Sequence, residues 1–230
     1  MFRPTDNRLL SDEVFESILE AIESGLLKSG DRVFEQKIAE QMGISRAPVR
    51  EAIKKLSVQG IVTVVPRKGA HIAPITVEDV QELYLVRSYL EGLSARLAVS
   101  NLEETDLVLL RHYSDEMGKA IQLNEVTAFI KNDQQFHSLV IERAENRRLT
   151  DLLSGIKAQT RLYMAMSKWS LFDQSGLSKE SNVHDGILQA FHSKDADLAE
   201  VRMRVHIIAS GDMLASQLQL SSQERETNTE

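Results

Sequence analysis

"ISRAPVREAIKKL", residues 44–56, reads as a short basic helix in a chain whose formal net charge is −7. Ser45 can cap it, and Pro48 is tolerated in the first turn, where backbone amides lack intrahelical partners. Val49, Ala52, Ile53 and Leu56 recur at i, i+3, i+4 and i+7, a stripe suited to a core. Arg46, Arg50 and Lys54 run beside that stripe at i, i+4 and i+8, with Ala47 between them. A helix that is apolar on one side and cationic on the other is suited to meeting a polyanion.

The flanking sequence gives this helix a setting. Upstream, Ser11 can cap a helix in which Val14, Ile18, Ala21, Ile22 and Leu26 recur at helical spacing. "KSGD" (28–31) is a turn, and a short helix from Glu35 to Met42 stops at Gly43. Downstream, Gly60 ends the basic helix. "IVTVV" (61–65) and "AHIAPI" (70–75) then read as strands joined by the turn "PRKG" (66–69). Helix, short helix, turn, basic helix and basic hairpin outline a winged helix-turn-helix, whose second helix enters the major groove while the hairpin reaches an adjacent groove or the backbone.

Charge follows the same division. Within 46–68, six cations (Arg46, Arg50, Lys54, Lys55, Arg67, Lys68) stand against one anion, Glu51. Residues 76–230 carry 16 Lys/Arg against 24 Asp/Glu. The basic footprint is therefore confined to one end of an acidic protein. Without the turn and the hairpin, a solvated charged face would be the plainer account.

Beyond residue 75 strand signals stop. Helical periodicity returns near 76–100, 103–122, 124–143, 146–170, 178–193 and 195–219, with short connections that suit antiparallel neighbours. The fold class expected is mostly α: an N-terminal winged helix-turn-helix with a small β-hairpin wing, then a C-terminal all-α antiparallel helix bundle. The boundaries follow as a flexible N-terminus over 1–10, the winged domain over 11–75, an all-helical bundle over 76–220, and a polar disordered tail over 221–230. The chain contains no cysteine, which excludes disulfides, thiolate metal sites and a cysteine nucleophile. No apolar run approaches a membrane span and no secretory leader is evident, so the expected setting is cytoplasmic, with the nucleoid as the site of action once DNA is bound.

Polar residues on inward-facing stripes mark a second site. Asp133 and His137 are four apart among Val126, Phe129, Ile130, Phe136 and Val140, so their side chains share one helical face. His184 keeps company with Val183, Ile187, Leu188 and Phe191, and His206 borders a stripe of Leu198, Val201, Val205 and Ile208. Ionisable groups among core positions are costly unless something satisfies them. One divalent ion bound by a carboxylate oxygen and three imidazoles would satisfy all four, with zinc foremost and nickel, manganese or iron as alternatives. The plainer alternative is an i,i+4 hydrogen-bonded Asp133–His137 pair with two ordinary core histidines. Arg87 lies on a stripe with Val80, Leu83, Tyr84 and Leu90, where its planar fork needs an anion: an effector carboxylate, or an internal glutamate. Arg161 and Asn182 are further, weaker candidates for holding an anion, the effector if one binds here. Tyr84, Tyr163 and Trp169 read as packing, and His71, His112 and His192 as ordinary surface or wing residues.

"SGDRVFEQKIAEQMGISRAPVREAIKKLSVQGIVTVVPRKGAHI" closely resembles the DNA-binding domain of GntR-family bacterial transcription regulators over roughly 10–75. "YLVRSYLEGLSARLA" (84–98), "NDQQFH" (132–137), "VHDGIL" and "RVHII" are similar to the FCD ligand-binding domain of the FadR-like branch. The resemblance implies a homodimer on a pseudo-palindromic double-stranded operator, which it releases or grips when a small carboxylate metabolite binds. It carries DNA contact over to Arg46, Arg50, Arg67, Lys68 and Gly69, with Ser45, Ala47 and Lys54 on the same face. Ala47 stands where many relatives have threonine, and Gln36 where some have a DNA-reading arginine; glutamine can still read adenine. It also carries metal ligation over to Asp133, His137, His184 and His206, and effector binding to Arg87. The rival classes are a metal-dependent hydrolytic enzyme and a regulator whose signal is the metal itself. No nucleophile elbow, P-loop or dinucleotide glycine pattern supports an enzyme.

Overall fold

The computed structural model describes residues 7–166 and 184–227. The chain divides into two compact units: one runs to Ile75 and includes Ala158–Met166, and the other holds Thr76–Lys157 with the chain from Ser167 onward. The end of the seventh helix thus groups with the N-terminal unit rather than with the bundle.

In the first unit, α1 spans Asn7–Glu23, α2 Glu35–Met42 and α3 Arg46–Val58. α1 starts upstream of Ser11, which is buried and accepts a 2.9 Å bond from Lys55 Nζ instead of capping the helix. The stripe of α1 ends at Ile22; Leu26 lies past the helix end and is 77% exposed. Val49, Ala52, Ile53 and Leu56 of α3 are all buried, as their spacing predicts. Gly43 closes α2 at φ 66°, a left-handed conformation that costs a residue with a Cβ, and its N–H reaches the carbonyls of Ala39 and Glu40. Ser45 sits at the N-cap of α3 with extended backbone but makes no side-chain capping bond.

The wing is a three-stranded antiparallel sheet rather than a lone hairpin. β1 (Arg32–Val33), β2 (Val62–Val65) and β3 (Gly69–Ile72) lie in the order β1-β3-β2, with Arg32 opposite His71 and Val65 opposite Gly69. The β2–β3 turn places Pro66 second and Arg67 third, with Arg67 at φ 66° and Lys68 N–H donating to Val65 C=O.

In the second unit, α4 (Val77–Ala98) opens on a reciprocal capping box between Thr76 and Asp79. α5 (Glu104–Leu123) and α6 (Val126–Arg143) follow, then α7 (Arg147–Met166), whose end from Ala158 belongs to the first unit, and α8 (Asp185–His192) and α9 (Ala196–Thr227). α4 packs along α9, α5 along α6, and α8 against both α9 and α5. Tyr84, Leu110, Phe136, Ile187, Leu188 and Met203 are buried almost completely. Two expectations for α9 fail. The helix continues to Thr227, through the segment read as a disordered tail. Its buried face is Ala199, Met203 and Ile207, while Val201, Val205 and Ile208 of the expected core stripe point to solvent.

Asp106, at the start of α5, is buried and held by the Nε and Nη2 of Arg143 on α6 at 2.8 and 3.0 Å, a bidentate clamp. The Arg143 hydrogen bonds hold its carboxyl below its ordinary value of 3.8, against the opposing effect of burial. A carboxyl depressed by folding stabilises the native state above its unfolded pKa and loses that contribution as pH falls through the folded value. Asp106→Asn is expected to lower the melting temperature of the protein by a few °C at pH 7. The gap to wild type should close as the pH drops below about 4; thermal melts across pH 3–7 measure it.

Candidate metal centre and nucleic-acid interface

The second unit brings together four side chains from three places in the sequence. Asp133 and His137 project from α6, His184 from the N-cap position of α8, and His206 from α9; all four are buried. One donor atom of each lies within 4.8 Å of every other. His137 Nε2 is 3.5 Å from Asp133 Oδ1 and 3.3 Å from His206 Nε2. Two nitrogens at about 2.0–2.1 Å from one tetrahedral ion stand at roughly that separation. His184 Nε2 is buried with no hydrogen-bond partner, an orphaned lone pair that a cation would satisfy. The donor set fits a single divalent ion, and Phe136, tilted against His184 at 4.4 Å between ring centroids, packs over it.

Behind His137 lies a charged chain. Its Nδ1 is 2.5 Å from Glu91 Oε2, and Glu91 Oε1 accepts from Arg87 Nε at 2.5 Å, both residues being buried on α4. The carboxylate thus fixes His137 with Nδ1–H outward and Nε2 toward the cluster. Burial opposes ionisation of Glu91, but Arg87 and His137 outweigh it and hold the carboxyl at about 2. Burial likewise opposes the charge on His137, and Glu91 with Asp133 outweighs it, raising the imidazole to about 9. His184 goes the other way, lowered to about 4 by burial and by His137; His206 is lowered well below its ordinary value by burial and by His184. The last two are therefore neutral at neutral pH, as ligating imidazoles must be, and a metal would compete with a proton at His137.

Glu91 was not read from the sequence, although it stands four residues after Arg87 and shares its face. The internal glutamate weighed there as an alternative partner for Arg87 is this residue. Arg161 is not part of this centre. Its guanidinium is spent on α1, pairing with Glu23 through Nε and Nη2 and with Glu16 through Nη1 at 2.7 Å. These pairs give its guanidinium carboxylate partners on α1. Asn182, with Val183 and Trp169, lies outside the described residues.

In the first unit, Ser45, Arg46, Ala47, Arg50 and Lys54 are exposed along α3, and Arg67 and Lys68 at the wing tip beside Gly69. Gln36 is exposed on α2 and donates to Glu40 at 2.8 Å. Arg50 Nε pairs with Glu35 of α2 at 2.7 Å, so this arginine is held in place without DNA. The sheet adds one cation that the sequence reading missed. Arg32 of β1 is exposed beside Gly69, with its guanidinium 4.9 Å from the Phe34 ring.

An exposed cationic second helix beside a basic wing defines a DNA-binding protein of the winged helix-turn-helix class. Residues 10–72 match the bacterial regulatory proteins of the gntR family, and residues 82–209 match the FCD domain. The chain belongs to the GntR family of transcriptional regulators and carries the FCD domain. It is similar to the "Probable D-xylose utilization operon transcriptional repressor" of Paenarthrobacter nicotinovorans, with 31% identity over 87% of this chain and 86% of the relative. It is 33% identical to the uncharacterized HTH-type regulator YdhC of Bacillus subtilis over 63% of this chain, a match spanning 65% of that relative. In fold it resembles McbR/YncC of E. coli, with TM-score 0.75 and 22% identity over 91% of this chain and 98% of that one. The two curated relatives are named as a regulator and a repressor of transcription, not as enzymes, which sets aside the hydrolytic alternative.

The exposed Arg50–Glu35 pair contributes little to stability, since such pairs are worth about 0–1 kcal/mol. Its weight falls on charge at the DNA face. Glu35→Gln should leave the melting temperature within about 1 °C of wild type while tightening binding to random duplex DNA a few-fold at low salt. Fluorescence anisotropy across a salt series tests this; unchanged or weaker affinity would show that Glu35 does not restrain Arg50.

Proposed function

We propose that the protein is a metabolite-responsive transcriptional regulator acting on the nucleoid in the cytoplasm. As a homodimer it reads a pseudo-palindromic operator through α3 and the wing, and a small carboxylate bound in the bundle changes its affinity for that DNA. The observation that carries this reading is the buried Asp133–His137–His184–His206 cluster set against the Arg87–Glu91 pair, in a chain that also carries a winged unit.

Arg46, Arg50 and Lys54 serve base edges or phosphates from α3, with Gln36, Ser45 and Ala47 beside them, and Arg67, Lys68 and Gly69 serve the backbone from the wing. In the bundle, Asp133, His137, His184 and His206 would hold a divalent ion, zinc foremost and nickel, manganese or iron otherwise. A bound ion would supply open Lewis-acidic positions to a carboxylate oxygen. Charge supports an anionic effector: Arg87 and Glu91 offset each other, and a divalent ion outweighs the single charge of Asp133. The net positive centre attracts an acid, and Arg87 is the buried cation placed to receive it. Sugar acids, hydroxy acids and dicarboxylates fit that description.

The effector acts by binding two arrangements of the dimer unequally, since a ligand of equal affinity for both shifts nothing. Half-site spacing is fixed by the operator, so a small change in the separation of the winged units alters affinity. Several relatives are named as repressors, which favours release of DNA as the response.

Selection of genomic fragments by the purified protein at moderate salt tests the reading, with an enriched inverted repeat expected. Retention of random DNA that vanishes with added salt would reduce it to phosphate binding. Arg50→Ala should lose roughly tenfold or more in operator affinity while effector affinity stays near wild type. For the bundle, the double substitution His184→Ala/His206→Ala should abolish the bound metal equivalent. Glu91→Gln should weaken metal affinity by about 10–100-fold by freeing His137, as loss of a carboxylate behind a ligand does. Metal content by mass spectrometry and competition with a chelator measure both, and a full equivalent retained by the double variant would end the metal assignment.

A further inference from the structure

The two faces of the wing sheet differ in character. Val33, Val62, Ala70 and Ile72 are buried beneath it. Arg32, Thr63, Gly69 and His71 share the outer face, since side chains alternate along a strand and directly opposed residues point the same way. Arg32 stands opposite His71, yet its guanidinium lies two residues further along, against Gly69. A Cβ on Gly69 would fall 3.1 Å from Arg32 Nε and 3.2 Å from Nη2, so the glycine leaves the space that the arginine occupies. The guanidinium carbon is also 4.9 Å from the centroid of the Phe34 ring, which is half exposed. The side chain thus leans along the sheet toward the β2–β3 turn, which carries Arg67 and Lys68.

Arg32 has no carboxylate partner among the described residues, unlike Arg50, whose charge is shared with Glu35. Its charge is therefore undiminished at the wing. The ring and the glycine backbone also hold the side chain before any ligand arrives, so part of the ordering cost of binding is already met. They cover part of a guanidinium that is weakly hydrated to begin with. His71 keeps this platform rigid: its ring lies 3.2 Å from the carbonyl oxygen of Gly30 and 3.4 Å from that of Lys68, linking the chain before β1 to the wing turn. A held, partly desolvated arginine is suited to a confined place of strong negative potential. An open phosphate is served as well by a freely moving lysine. In duplex DNA the confined place is the narrow minor groove of A·T-rich sequence, and the hairpin of a winged helix-turn-helix reaches an adjacent groove.

We propose that Arg32 is a DNA-reading residue of the wing, which enters the minor groove and gives the protein a preference for A·T-rich sequence beside the stretch occupied by α3. The proposal rests on the DNA-binding reading of the winged unit. It adds a determinant from β1 to those of α3 and the wing turn. The preference is one of shape. A·T-rich tracts narrow the minor groove and strengthen its negative potential, so Arg32 distinguishes sequences without a base-specific hydrogen bond. Arg67 and Lys68, at the turn, serve the flanking phosphates.

Fluorescence anisotropy of the full-length protein with two duplexes of equal length, one carrying A-tracts and one made of G·C pairs, tests this across a salt series. Wild type should bind the A-tract duplex more tightly. Arg32→Gln removes the charge and should lose roughly tenfold on the A-tract duplex, the scale of a hydrogen bond to a charged group, and about twofold or less on the G·C duplex. Arg32→Lys keeps the charge, so its salt slope should match wild type, but most of the A-tract preference should go with the planar fork. Arg32 is exposed and the β1 ladder is made by backbone groups, so both variants should melt within about 2 °C of wild type. Equal losses on the two duplexes would mean phosphate contact alone and would overturn the groove assignment. Unchanged affinity of Arg32→Gln for both would remove Arg32 from the DNA altogether. Arg50→Ala is the reference variant: its weakened binding beside an unaffected Arg32→Gln would overturn the role of Arg32 alone. A wild type that holds neither duplex would overturn the DNA-binding reading itself.

Discussion

A buried arginine needs an anion, and in this bundle the answer to that need organises the site. Arg87 sits on the inward face of α4 and takes Glu91, one turn on, as its partner. The carboxylate has a second oxygen, which must also be satisfied away from water, and His137 of α6 supplies the donor. His137 then directs Nε2 toward Asp133 and His206. Each link exists because the previous one left a polar atom unsatisfied. A buried ion pair is weak evidence for stability, since the desolvation of both ions offsets their attraction. Removing one member, however, strands the others in low dielectric. The chain of charges is better understood as a device that fixes the orientation of His137 than as a source of folding energy.

The same helices explain why the fold was only partly legible. The recognition helix was readable because Val49, Ala52, Ile53 and Leu56 form a single apolar side, leaving one choice for the core. α9 was not, because it is apolar on two sides. Ala199, Met203 and Ile207 face the bundle, whereas Val201, Val205 and Ile208, equally well spaced, face out. Periodicity reports that a stripe exists and does not say what covers it. β1 escaped for the opposite reason: two residues carry no period, and Arg32–Val33 becomes a strand only by pairing with β3.

The candidate metal ligands were legible because histidine and aspartate are out of place on apolar stripes, and the structure gathers all four. Glu91 was harder to see, since a glutamate in a helix is ordinarily a solvated residue. Only its i,i+4 relation to Arg87 distinguished it. Arg161 shows a different limit. Its residue type suggested a ligand, but a cation on α7 can equally serve nearby carboxylates, and Glu16 with Glu23 claims it. Residue type narrows the chemistry; long-range pairing decides which partner receives it.

Glycine at positions 92 and 211 places α4 and α9 in close contact, and that contact limits how a signal can travel. Two helices joined through small residues and flanked by the Arg204–Tyr89 stack and the Arg96 bridges have little freedom to separate. They can still slide or rotate as packed helices do, by an ångström or two. Such a shift at His206 is carried by the same rigid turn to Val205, and one at Arg87 is carried to Val86. A ligand that prefers one setting of the pair therefore selects between those settings. The coupling can be no larger than the ligand's difference in affinity between the two settings. Since the polar network behind His137 runs from α4 to α6 and on to α9, that difference would arise within the network itself.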